Sequence, residues 1–118
     1  MRFEAFDKAI RALPGVTLDV KWETHRCFCV GEKMFVMAGD LGEEEPRYLF
    51  KASDLAFEML VESGAAAPAP YLGRAKWVRM TAPDSLSDED LIAYATQAHA
   101  LIAAKLTKKQ RAALGIGA

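Results

Sequence analysis

The chain has 118 residues, 52% hydrophobic and 26% charged, which is the balance of one folded domain and not of a disordered segment. Lys and Arg number 15 against 16 Asp and Glu, a formal net charge of -1, so a uniformly basic nucleic-acid binder is excluded and only a local patch could serve that role. No run approaches the ~20 apolar residues of a membrane span, and Met1-Arg2-Phe3-Glu4 lacks the apolar stretch of a signal peptide.

In chain order, Phe3, Phe6, Ile10 and Leu13 recur at steps of three and four, predicting an amphipathic helix that Pro14-Gly15 ends. The period then becomes two. Val16, Leu18, Val20 and Trp22 alternate with Thr17, Asp19 and Lys21, the pattern of a half-buried strand. His25 to Val30 and Lys33 to Ala38 are apolar on both faces and meet at Gly31-Glu32, which predicts a hairpin in the centre of a sheet. Residues 40 to 46 form an acidic turn-rich loop, and Arg47 to Lys51 is the fourth strand.

Ser53-Asp54 is expected to cap a second helix, with Leu55, Met59 and Leu60 facing inward and Gly64 ending it. Ala65 to Tyr71, broken by Pro68 and Pro70, reads as a loop, and Ala75 to Thr81 as the fifth strand. Ser87 opens the longest helix, with Asp88, Glu89 and Asp90 in its first turn to complement the helix dipole. Its buried stripe is Leu91, Ala95, Ala98, Ile102 and Leu106, and Thr107 caps a last basic turn. The order α-β-β-β-β-α-β-α keeps strands in a run, so the expected class is α+β: one domain over residues 1–118, an antiparallel sheet packed against helices.

Motifs with chemistry are few. Alternation puts His25, Cys27 and Cys29 on one strand face, but His25 and Cys29 would stand about 13 Å apart by strand rise, too far for one tetrahedral zinc. Buried cysteines are the expected reading. Their Cα separation of about 6.6–7 Å disfavours a disulfide between them, and reduced thiols suit the cytoplasm. His99, beside the apolar stripe of the last helix, is expected to be a satisfied histidine. No phosphate-binding loop, dinucleotide fingerprint, GxSxG elbow or HExxH helix is present, so no enzyme, cofactor or metal is expected.

Charge distribution says more than net charge. Between Glu62 and Asp84 lie Arg74, Lys76 and Arg79 with no acid, and after Asp90 come Lys105, Lys108, Lys109 and Arg111, again with no acid. If the two segments meet, with Lys33 from the hairpin, they form an anion-facing patch. Separately, they are a cation-rich helix end and a protected strand. Trp22 and Trp77 are expected as core anchors, and Tyr71 as the exposed aromatic.

Leu13-Pro14-Gly15-Val16, Trp22, the hairpin from Phe28 to Phe35, Tyr48-Leu49-Phe50-Lys51, Ala69-Pro70-Tyr71-Leu72 with Trp77-Val78, and Leu101 to Leu106 occur in the order and spacing of a known group. By these residues the chain resembles the MmcQ/YjbR family of small bacterial proteins, over nearly its whole length. It departs from the family where Ala98-His99 stands in place of a frequent Ser-Tyr pair. The resemblance implies a frataxin-like sandwich in a "double wing" arrangement associated with DNA binding, and it carries no catalytic residues. Lys33 and Lys51 lie inside the matching motifs.

The expected function is therefore non-catalytic DNA binding through a wing hairpin and Lys33, Lys51, Arg74, Lys76, Arg79, Lys105, Lys108, Lys109 and Arg111, by a chain expected to be monomeric. The alternative is a protein-interaction or small-ligand module using Tyr71, Trp77 and the Ala-Pro loop. A metal-handling role rests on the implied fold alone.

Overall fold

The computed structural model describes residues 2–21, 25–39, 47–69, 73–82 and 84–116. The predicted places of Trp22, the acidic loop 40–46 and Pro70-Tyr71-Leu72 lie outside them.

Helix α1 (Arg2–Arg11) forms on the predicted stripe, with Phe6 and Ile10 buried one turn apart and Leu13 packed behind them. Gly15, at φ +71, turns the chain into β1 (Val16–Lys21). Strands β2 (His25–Val30) and β3 (Lys33–Gly39) are joined by Gly31 and Glu32, both at positive φ. This is the two-residue turn whose twist matches an antiparallel pair. The fourth strand, β4 (Arg47–Lys51), has the predicted bounds.

Helix α2 (Asp54–Ser63) has the predicted caps. Ser53 Oγ accepts from the Ala56 N–H at 3.1 Å, and Gly64 closes the C-terminus at φ +82. Of the three residues predicted to face inward, only Leu60 does. Leu55 and Met59 are 67% and 56% exposed, while Ala56 and Leu60 are buried. The helix is apolar on most of its circumference, so periodicity alone does not select a face. Ala56 and Leu60 are buried, Phe57 and Val61 pack half-buried against the core, and Leu55 is left outside.

The segment read as a loop contains a strand, β5 (Ala66–Pro68), paired antiparallel with β6 (Trp77–Met80). It lacks β-branched residues and carries Pro68, which an edge strand tolerates because one side of its backbone is unpaired. Bonds from Ala69 N–H to Trp77 O and from Thr81 N–H to Ala65 O extend the ladder at both ends. Strand β6 begins two residues later than predicted. Gly73–Ala75 form a 3-10 turn, and Lys76 turns the chain at φ +63.

Helix α3 (Asp88–Ala103) starts at Ser87, whose hydroxyl accepts from the Asp90 N–H. Leu91, Ala95, Ala98 and Ile102 are buried as expected. Leu106 is buried too, but beyond the end of α3. The basic turn after it is a separate short helix, α4 (Lys108–Ala113), held by a reciprocal capping box between Thr107 and Gln110. The structure thus adds β5 and α4 to the expected order.

The six strands form one antiparallel sheet in the order β1-β2-β3-β4-β6-β5, so β6 inserts between β4 and β5. Phe28, Val36, Phe50 and Val78 stand opposite one another in a fully buried row across four strands. Helices α1, α2 and α3 bury this face. The other face carries a smaller cluster of Leu49, Ala69 and Trp77, with Met34 and Met37 packed against it. Trp77 is a buried anchor, as predicted, but of this second cluster.

Candidate nucleic-acid interface

Strand register decides where the cations go. Val16 stands opposite Val30, Val30 opposite Lys33, and Lys51 opposite Trp77. The start of β1, end of β2, start of β3, end of β4 and start of β6 therefore share one end of the sheet. The chain after α3 covers the same end. A Cβ on Gly31 would meet Leu106 at 2.8 Å, and one on Gly15 would meet Leu114 at 2.9 Å.

This arrangement brings most of the predicted cations to one rim. Arg74 and Lys76 lie at the β6 side, Lys51 at the end of β4, Lys33 at the hairpin turn, Lys105 after α3, and α4 at the β1 side. Arg74, Lys33, Lys105, Lys108 and Lys109 are exposed, while Lys51, Lys76 and Arg111 are half-buried. Arg79 is not part of the rim. It stands mid-strand between Leu49 and Ala67, on the sheet face away from the helices.

Lys51 is the most constrained rim cation. Its ammonium donates to the Ala75 carbonyl. Burial holds its pKa below the ordinary lysine value, repulsion from Lys105 lowers it further, Asp54 pulls the other way, and Lys76 adds a smaller repulsion. Lys51 thus senses the charge of both other lysines. Lys76 is itself held over the Phe57 ring, 4.7 Å from the centroid, a cation–π contact. Asp54 is the acid whose charge reaches Lys51.

At the α4 side, Lys108, Lys109, Arg111, Ala112 and Ile116 line a hollow of about 410 Å³. Arg111 donates to the Ala104 carbonyl at 3.4 Å, tying α4 to the end of α3. Leu106 lies against Gly31 in the turn of the hairpin expected as a wing.

Other candidates have structural roles. His99 is 7% exposed, bonds the Pro14 carbonyl through Nε2 at 2.8 Å and meets the Phe35 ring edge-on. Ala98-His99 therefore fastens α3 to the α1–β1 turn. Cys27 is buried, Cys29 half-buried, and both are thiols. Among the described residues no three of His, Cys, Asp and Glu gather as a metal site, and no helix is long and apolar enough to cross a membrane. The charges packed closest to the core had no sequence signal. Arg26 pairs with Asp7 of α1, and burial lowers the Arg26 pKa although Tyr48 partly offsets it. Only a long-range contact creates that pair.

A six-stranded antiparallel sheet with helices on one face and a cationic rim defines a small α+β sandwich domain. A solved structure of similar fold is Deinococcus radiodurans protein DR2400, which carries a DUF419 domain. That structure matches with a TM-score of 0.84 at 21% identity, over 98% of this chain and 88% of that one. The chain belongs to the YjbR family, whose model matches residues 11–101. No curated protein matches it.

Proposed function

We propose that this protein binds DNA without catalysing a reaction, holding backbone phosphates along the rim that runs from Arg74 and Lys76 through Lys51 and Lys105 to α4. The observation that carries this reading is the gathering of Lys51, Lys76 and Lys105 at one end of the sheet, where Lys105 and Lys76 both repel the Lys51 ammonium. Folding gathers like charges there at a cost, and a polyanion would relieve it. Contacts of this kind read phosphate and not base sequence. The two thiols support a cytoplasmic setting.

Fluorescence anisotropy with a random-sequence duplex tests the reading. Affinity should fall by about 0.9 log units per phosphate contact for each log unit of salt. Lys51→Glu with Lys105→Glu should weaken binding at least tenfold, whereas Arg79→Glu should change it little. No binding at low salt, or equal losses from both variants, would sink the proposal.

A small-ligand or protein-interaction module would need Trp77 at the surface, and Leu49, Ala69 and Trp77 are all buried.

A further inference from the structure

The sheet face away from the helices holds four sulfur atoms in adjacent positions. Cys27 stands opposite Met37, and Cys29 opposite Met34, on the neighbouring strands β2 and β3. Simple alternation would place Met34 and Met37 on opposite faces, since they are three residues apart. The register shift between Phe28 and Cys29 removes that conflict by absorbing one extra residue on β3. Phe35 and Val36 are both fully buried, and Phe35 meets His99 of α3. Both therefore turn toward the helices, and Met34 and Met37 both turn away. A bulge that re-aims side chains is a conserved kind of feature near functional sites.

Directly opposed residues in an antiparallel pair have Cβ atoms about 4.5–5.5 Å apart. Two cysteines and two methionines are thus paired across the ladder, and side-chain rotation toward a common centre must close the roughly 6.6–7 Å between positions two apart on a strand. Cys29, Met34 and Met37 are half-buried and Cys27 is buried. The setting is apolar, with Leu49, Ala69 and Trp77 beside the methionines.

We propose that Cys27, Cys29, Met34 and Met37 bind one soft monovalent metal ion, Cu(I). Thiolate and thioether sulfur select Cu(I) among common cellular metals, while calcium, magnesium and manganese prefer oxygen. Zinc takes thiolate and imidazole, and a set with two thioethers suits it poorly. Each cysteine that ligates loses its thiol proton to solvent, the copper stays Cu(I), and no redox partner is needed. The flexible thioethers complete the shell without moving the strands. This site is on a different surface from the phosphate-binding rim, and neither depends on the other.

The test is an anaerobic titration of the reduced full-length chain with Cu(I) against a chromogenic Cu(I) chelator, with Zn(II) titrated in parallel. One Cu(I) per chain should bind, with a copper–thiolate absorption in the near ultraviolet, and Zn(II) should not compete. Met34→Leu with Met37→Leu should weaken Cu(I) at least tenfold while leaving the thermal midpoint close to that of the parent. Cys29→Ser, at the half-buried cysteine, should lower both the absorption and the Cu(I) affinity. No Cu(I) retained against the chelator, tight Zn(II) competition, or undiminished affinity in the methionine double variant would each overturn the proposal.

Discussion

At the scale of single residues, two glycines separate backbone conformation from space. Gly31 and Gly64 both have positive φ, but only Gly31 has a side chain pressed against it. Gly64→Ala should cost about 1–2 kcal/mol for the left-handed backbone alone. Gly31→Ala should cost more, by about a further 1–3 kcal/mol of overpacking against Leu106. Urea denaturation of the two variants measures the difference, and equal losses would mean that Leu106 yields freely. Lys51 gives a second residue-level expectation. Its folded pKa lies below its unfolded value, so its charge opposes folding, and stability at this site grows as pH rises from the folded pKa toward the unfolded one. Lys105→Gln removes the nearby repulsion and should raise the Lys51 pKa, as read by NMR titration of the lysine ε-carbon. An unchanged value would separate the two ammonium groups. Neither effect was legible in the sequence. The turn at Gly31 was, but Leu106 and Lys105 reach their partners only through the path of the chain after α3.

At the scale of elements, the caps were the most legible features, because a cap needs only local chemistry. Ser53, Ser87 and Thr107 each accept a backbone N–H three residues on. Ser53→Ala and Ser87→Ala should each lower stability by about 1 kcal/mol in thermal or chemical unfolding. The orientation of α2 was not legible. Leu55, Met59 and Leu60 fit an inward face by period, yet Ala56 and Leu60 are the residues buried. Leu60→Ala should therefore cost about 2–5 kcal/mol, and Met59→Ala less than about 0.5 kcal/mol. Comparable losses would restore the face read from the sequence. Strand β5 was hidden for a different reason. Ala66, Ala67 and Pro68 have no strand preference of their own, and their pairing comes from β6.

At the scale of the whole molecule, class and strand run were readable because hydrophobic period changes cleanly from the helical value to two at Val16. Sheet order was not readable. The insertion of β6 between β4 and β5 places Lys76 next to Lys51, and that step turns two separate basic segments into one rim. The sequence could name nearly all its cations while leaving open whether they met, and Arg79 was included because segment membership says nothing about strand facing.

The buried row of Phe28, Val36, Phe50 and Val78 is laid down strand by strand, but α3, which packs against β3 and β4, follows all six strands in the chain. During synthesis at about 5–20 residues per second, the finished sheet must wait for that helix to clear the ribosome. A nascent chain arrested before Ser87 would hold an aromatic and β-branched surface open to chaperones and proteases. Release of a few more turns of helix would close it, which makes α3 the step that commits the newborn chain to its fold.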